Sequence, residues 1–255
     1  MNDHHRHVGD ARIKFSLGTK QPADTDGLFH YSFGLLFDSP RGLLLAADSN
    51  NHRVQVFSSD DGSLVSKFGG KGDQPGQFQR PSDLALADDL DRIFIIDAEN
   101  HRIQARSWAN EQSFLSCIGR YGSRRLEFKF PRGITIDRHH RRLIVVDTLN
   151  QRLVFLSLTD LSFLFSIGDK RGSQPRMFYN PSGAAVDHDR DRIVVTDACN
   201  HRLQVLSSID GSFLFEFGEE GDQPGQLKLP IGVCIDNQGR IIVADTNNRR
   251  LQSFT

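Results

Sequence analysis

Carboxylate, amide and guanidinium side chains recur together along this 255-residue chain. Asp48, Asn51 and Arg53 return as Asp97, Asn100 and Arg102, then as Asp147, Asn150 and Arg152. They return again as Asp197, Asn200 and Arg202, and finally as Asp245, Asn248 and Arg250. Such a set offers three chemistries. The carboxylate suits acid–base work or cation binding, the neighbouring His52, His101 and His201 suit metal ligation or proton transfer, and the Arg suits anions. Recurrence argues against catalysis, because a residue present in every copy of a repeat is explained most simply by the building of that copy. The Asp is read as accepting backbone N–H groups of the turn after it, and the Asn as a residue that adopts positive φ cheaply. The Arg is read as reaching a carboxylate of the same or an adjoining unit through forked hydrogen bonds.

Other reactive groups do not assemble into a motif. Of ten His residues, His4, His5 and His7 lie in a polar N-terminal stretch and His139–His140 among arginines. The position shared by His52, His101 and His201 becomes Gln151 and Arg249, so a metal site needing all five copies is broken. Cys117, Cys199 and Cys234 are odd in number and widely spaced, which fits a reducing compartment, by default the cytosol. A second carboxylate series, Asp38, Asp137, Asp187 and Asp236, reads as the opener of a β-turn. The chain shows no Gly-x-Ser-x-Gly, P-loop or dinucleotide fingerprint. The expectation is a protein that is not an enzyme, with no cofactor and no metal.

The elements that carry these residues follow from the repeat. The Asp positions recur every 48–50 residues, and Gly18, Gly69, Gly119, Gly168 and Gly218 each close a short apolar run out of phase with them. Each unit reads as four strands, a to d, short, rich in β-branched and aromatic residues, and bounded by Gly, Asp, Asn or Pro. Four short strands per unit of this length describe the blade of a β-propeller. The nineteen Phe residues suit packing between blades. Residues 1–10 are read as a polar tail and 11–255 as one propeller domain. The run Arg12–Leu17 is of type d and the chain ends within a strand of type c, so the N-terminal strand is expected to complete the last blade. The fold class is therefore all-β, with five four-stranded blades closed by that strand, or six blades where the chain is a fragment.

The motif Asn100-His101-Arg102-Ile103, with Asn200-His201-Arg202-Leu203, resembles the NHL repeat, named for Asn-His-Leu. The segments Gly72–Phe78 (Gly-Asp-Gln-Pro-Gly-Gln-Phe) and Gly221–Leu227 are similar to that family as well, and the resemblance covers residues 11–255. A single Trp cannot supply WD dipeptides to five blades. The resemblance implies an NHL-type β-propeller, a fold that in its family usually has six blades. It also implies interaction functions: target recognition for tripartite-motif ubiquitin ligases, RNA binding in translational repressors, and in some lyases a metal site whose His residues have no match here.

Function is sought where blades differ, on loops held by a rigid ring. The d–a loop 119–132 carries Arg120, Tyr121, Arg124, Arg125, Lys129 and Arg132 against Glu127, a net of +4. The next, 168–180, carries Lys170, Arg171, Arg176 and Tyr179 against Asp169, a net of +2. The following loop is acidic, with Glu219, Glu220 and Asp222 against Lys228. Although 31 basic residues balance 32 acidic ones, which argues against a globally basic nucleic-acid binder, this face is lopsided. These ten basic and aromatic residues form the candidate ligand-binding set. The leading expectation is a non-catalytic scaffold that binds a protein partner. Single-stranded RNA is an alternative, with phosphates on Arg and Lys and bases stacked on aromatics. A metal-dependent lyase or hydrolase acting at the channel mouth is a third. No segment approaches the ~20 apolar residues of a membrane span, no secretory signal is visible, and a monomer is expected.

Overall fold

The computed structural model describes residues 15–19, 21–109 and 113–255. The tail 1–10 and the first part of the expected closing strand, Arg12–Lys14, lie outside them. Blade 1 comprises β1 (Ser32–Asp38), β2 (Leu43–Asp48), β3 (Arg53–Ser58) and β4 (Leu64–Gly69). Blade 2 comprises β5 (Pro81–Ala87), β6 (Arg92–Asp97), β7 (Arg102–Ser107) and β8 (Phe114–Ile118). Blade 3 is β9 (Gly133–Asp137), β10 (Arg142–Asp147), β11 (Arg152–Ser157) and β12 (Phe163–Gly168). Blade 4 is β13 (Pro181–Asp187), β14 (Arg192–Asp197), β15 (Arg202–Ser207) and β16 (Phe213–Phe217). Blade 5 is β17 (Pro230–Ile235), β18 (Ile241–Asp245) and β19 (Arg250–Phe254), three strands among the described residues. All pairings are antiparallel and sequential, and the first strand of every blade lines a central channel. The protein is thus an all-β, five-bladed propeller.

The second strand of a blade explains its near-continuous apolar sequence. Leu143, Ile144, Val145 and Val146 of β10 are all buried, because a sheet lies against each face of the strand. The resulting core is divided by junction. One apolar cluster joins blades 1 and 2, a second blades 2 and 3, a third blades 3 and 4, and a fourth blades 4 and 5. Each is anchored from the loop before the second blade of its pair by a fully buried side chain, Phe78, Phe128, Phe178 or Leu227. The Phe surplus in the composition therefore does serve inter-blade packing.

At Gly34, Gly133 and Gly183 on the channel wall the inner strands approach so closely that a side chain is excluded. A Cβ on Gly34 would lie 2.6 Å from the Cα of Asp83, and one on Gly133 or Gly183 would lie 2.5 or 2.6 Å from a carbonyl oxygen of the next blade. Gly232 of blade 5 has no such neighbour; its nearest contact is Ala244 in its own blade. Among the described residues no apolar cluster joins blade 5 to blade 1. Leu35 and Phe37 of β1 are 65% and 58% exposed, whereas Leu84 and Leu86 at the same repeat positions are 4% and 5% exposed. On the facing side Leu251 is 72% exposed, against 0% for Leu203 in blade 4. Four junctions of the ring are packed, and at the fifth, the seam between blades 5 and 1, these side chains stay exposed among the described residues. Phe15 and Leu17 lie against Gly62 of blade 1 as Phe165 and Ile167 of β12 lie against Gly211 of blade 4. The N-terminal segment thus lies against blade 1 where the d strand of the preceding blade, blade 5, is expected, although among the described residues it is not paired with the outer edge of β19.

Leucines at one repeat position test the seam directly. Leu203→Ala should cost about 2–5 kcal/mol in urea unfolding, whereas Leu251→Ala should change stability by less than about 0.5 kcal/mol. Equal losses would show the seam closed in solution.

Candidate interaction face

The five repeated aspartates are fully buried hubs on the face that carries the d–a loops. In every blade Oδ2 accepts hydrogen bonds from the Asn Nδ2 three residues on, at 2.8–2.9 Å, and from the Arg Nε five residues on, at 2.7–2.9 Å. Oδ1 accepts a backbone N–H of the preceding d–a loop: His30, Gln79, Lys129, Tyr179 or Lys228. The Arg therefore serves a carboxylate of its own blade, one of the two expected arrangements. Two details differ from the sequence reading. The amide donor comes from the loop before the blade and not from the following turn. The left-handed residue is the one after the Asn: His52, His101, Gln151, His201 and Arg249 have φ of 54–57°.

The remaining Arg nitrogens hold the loops. Arg152 Nη1 donates to Ser123 O at 3.0 Å and Nη2 to Arg124 O and Glu127 O at 2.9 and 2.7 Å. Arg102 makes equivalent bonds to Asp73, Gln74 and Gln77 carbonyls. In four blades a glutamine (Gln55, Gln104, Gln204, Gln252) adds a further donor to Oδ2. In blade 3 that position is Val154. There burial, only partly offset by the Lys129 amide, Asn150 and Arg152, pushes the Asp147 carboxyl above its usual range.

A second repeated contact links neighbours. His52, His101 and His201 accept at Nδ1 from the N–H of Arg80, Phe130 and Leu229 in the next loop, each at 3.2 Å. Gln151 does the same through Oε1 to Asn180 N at 2.6 Å. His and Gln interchange here because both offer an acceptor. Arg249 offers none, and it stands at the seam.

The ten candidate residues all lie on this face. Phe128 and Phe178 are core anchors, and the polar residues around them project outward. Tyr121 is 63% exposed, with Lys129 Nζ 5.5 Å from its ring centre and the His101 ring 5.0 Å away. The Arg171 guanidinium covers the Tyr179 ring at 3.7 Å, and Arg125 lies over Phe163 at 5.3 Å. Arg120 pairs with Glu127 at 2.9 Å. Arg124 shares that carboxylate, its backbone N–H donating to Glu127 Oε2 at 3.0 Å, whereas among the described residues Arg125, Lys129, Arg132, Lys170, Arg171 and Arg176 have no carboxylate partner. Arg176 is held at the backbone, its N–H donating to Gln204 Oε1 at 2.8 Å. Arg132 turns away from the group to line the mouth of the channel.

That mouth opens into a cavity of about 420 Å³. Its wall contains a residue the sequence reading passed over. Asp83 occupies the repeat position held elsewhere by Gly34, Gly133, Gly183 and Gly232. Its Oδ2 accepts from Ile134 N and its Oδ1 from Leu84 N, both at 3.0 Å, and burial pushes the carboxyl up to about 7. The signal was the single carboxylate in a column of glycines.

The family profile of the NHL repeat matches residues 34–57, 78–105, 178–206 and 227–254. The chain is an NHL-repeat β-propeller. The NHL unit outside those matches belongs to blade 3, where Gln151 replaces His and Val154 replaces Gln. An E3 ubiquitin-protein ligase, TRIM71 of Xenopus tropicalis, is 57% identical over 35 residues, 14% of this chain and 4% of that protein. Protein lin-41 of Caenorhabditis elegans is 50% identical over 36 residues, 14% of this chain and 3% of that protein. The propeller in a crystal structure of a nidogen/laminin complex superposes with a TM-score of 0.61 at 17% identity, covering 88% of this chain and 79% of that one. That likeness is one of fold. No helix among the described residues is long and apolar enough to cross a membrane.

Two outcomes follow from the hubs and clasps. Arg152→Ala leaves Asp147 buried and uncompensated, at a cost of about 3–5 kcal/mol, and hydrogen exchange should show the Lys129 amide losing protection. For the clasps, burial holds His52 and His101 below the ordinary value near 6.5. A base with a depressed folded-state value favours folding fully above the unfolded value and loses that contribution as pH falls from about 6.5 through the folded value. His52→Gln/His101→Gln, which copies the glutamine clasp of blade 3, should flatten the fall in urea midpoint between pH 7.5 and pH 5.5.

Proposed function

We propose that this NHL propeller is a non-catalytic interaction platform whose loop face docks an acidic surface of a partner protein. The observation that carries this reading is the row of five cations without carboxylate partners among the described residues, Arg125, Lys129, Lys170, Arg171 and Arg176, on two neighbouring loops clamped from below by Arg152 and Arg202. Charges held in place before encounter steer association and fix register without ordering cost at binding. Protein is favoured over RNA for two reasons. Arg171 already covers the Tyr179 ring, which removes a stacking face. The acidic loop with Glu219, Glu220 and Asp222 also breaks the continuity that a phosphate backbone requires. The short matches to TRIM71 and lin-41 support a protein-recognition role, and by that resemblance the partner is a target of a ubiquitin-ligase-type system in the cytoplasm.

The test is capture of partners from native lysate, with and without nuclease, by the parent and by Arg124→Glu/Arg125→Glu. Nuclease-resistant protein partners should fall about tenfold in the variant at low salt and less at high salt. Capture that nuclease abolishes would assign the face to RNA, and equal capture by both proteins would sink the proposal.

A further inference from the structure

The channel cavity carries a charge arrangement that the docking role does not use. Four charged groups line it: Arg80, Asp83, Glu99 and Arg132. Arg80 and Glu99 neutralise each other at 3.1 Å. Asp83 has no cationic partner among the described residues, its carboxylate receiving only the two backbone amides described above. Arg132 has no carboxylate partner among the described residues. The cavity thus holds one uncompensated anion and one uncompensated cation. They belong to the same sector of the wall, since the amide that Asp83 receives lies two residues beyond Arg132. The adjoining inner strand of blade 1, which meets Asp83 at Gly34, contributes Phe33 and Leu35, and that of blade 5 contributes Ile231 and Val233. A cavity of this volume is at the small end of those that enclose organic ligands.

Separated opposite charges with apolar side chains on the adjoining inner strands describe the complement of a particular kind of molecule. We propose that the channel mouth binds a free α-amino acid with an apolar side chain, its ammonium group on Asp83, its carboxylate on Arg132 and its side chain against Phe33, Leu35 and Ile231. The ammonium supplies the countercharge that the buried carboxylate lacks, and a guanidinium offers a carboxylate two parallel N–H donors. Asp83 is the one departure from glycine in its column, so the charge is specific to this sector and not a requirement of the fold. Ligand binding stabilises the ionised carboxylate, so affinity rises as pH is raised through about 7. Arg80, Glu99 and Arg132 are the other charged groups facing the cavity.

Isothermal titration of the full chain with L-phenylalanine and L-leucine tests the site. Phenethylamine, which lacks the carboxylate, and 3-phenylpropanoate, which lacks the ammonium, serve as half-ligands. The zwitterions should bind saturably with one site per chain, and each half-ligand at least about tenfold more weakly. Asp83→Gly restores the residue of the other four blades, and Arg132→Gln keeps a polar side chain of similar reach. Each should weaken phenylalanine binding by about tenfold or more while the unfolding transition stays cooperative. Absence of saturable binding at millimolar amino acid, half-ligands as tight as the zwitterion, or variants that bind like the parent would each overturn the proposal. The site is independent of the docking face: Arg124→Glu/Arg125→Glu should leave phenylalanine binding unchanged, so either reading can fail without the other.

Discussion

A buried carboxylate organises each blade of this protein. Removed from water, it would be costly alone, and it is tolerated because an Asn, an Arg and a loop amide, in four blades joined by a Gln, converge on its two oxygens. The Arg is the versatile member. With one nitrogen on the carboxylate and two on loop carbonyls, it ties the end of the second strand to a loop of about a dozen residues whose own pairing is a single isolated bridge, such as Tyr121 with Phe128. Those loops supply the anchors Phe78, Phe128, Phe178 and Leu227, so the polar hub and the apolar junction are two ends of one device. Loss of the hub would release the loop, and with it the side chain that seals the junction.

The same arrangement lets the surface vary without penalty. Backbone amides and carbonyls do the holding, so loop side chains are free to differ, and adjacent loops carry net charges of +4, +2 and an acidic excess on nearly identical scaffolding. The His or Gln clasp shows similar economy. It requires only an acceptor one residue beyond the Asn, and the chain meets that requirement at every packed junction.

Most of this was legible in the sequence for a definite reason. Five copies of Asp-x-x-Asn-x-Arg allow a structural residue to be separated from a functional one without any other protein, and strand order follows from the period. What the repeat did not reveal depends on folding at longer range. The loop amide that meets Asp147 is Lys129, eighteen residues earlier, and no local rule points from one to the other. The clasp looked like variation among His52, Gln151 and Arg249 because its partner lies in the next blade. Asp83 was hidden because attention to what recurs passes over a place where a glycine column is interrupted once. Of the ten loop residues, Arg120 is spent on Glu127 and Arg132 belongs to the channel, pairings that the loop sequence does not reveal.

The uneven junctions of the ring decide how it is braced. Four are packed in series, and the fifth has no apolar cluster among the described residues, so stability approaches a sum of unit and nearest-neighbour contributions along a linear array. Blades 2, 3 and 4 are then interior members, while blades 1 and 5 are termini that fray first. The basic loops and Asp83 belong to the interior and the clasp-less Arg249 to a terminus, so the array keeps its recognition surfaces where cooperative stability is greatest and leaves its least protected backbone at the seam.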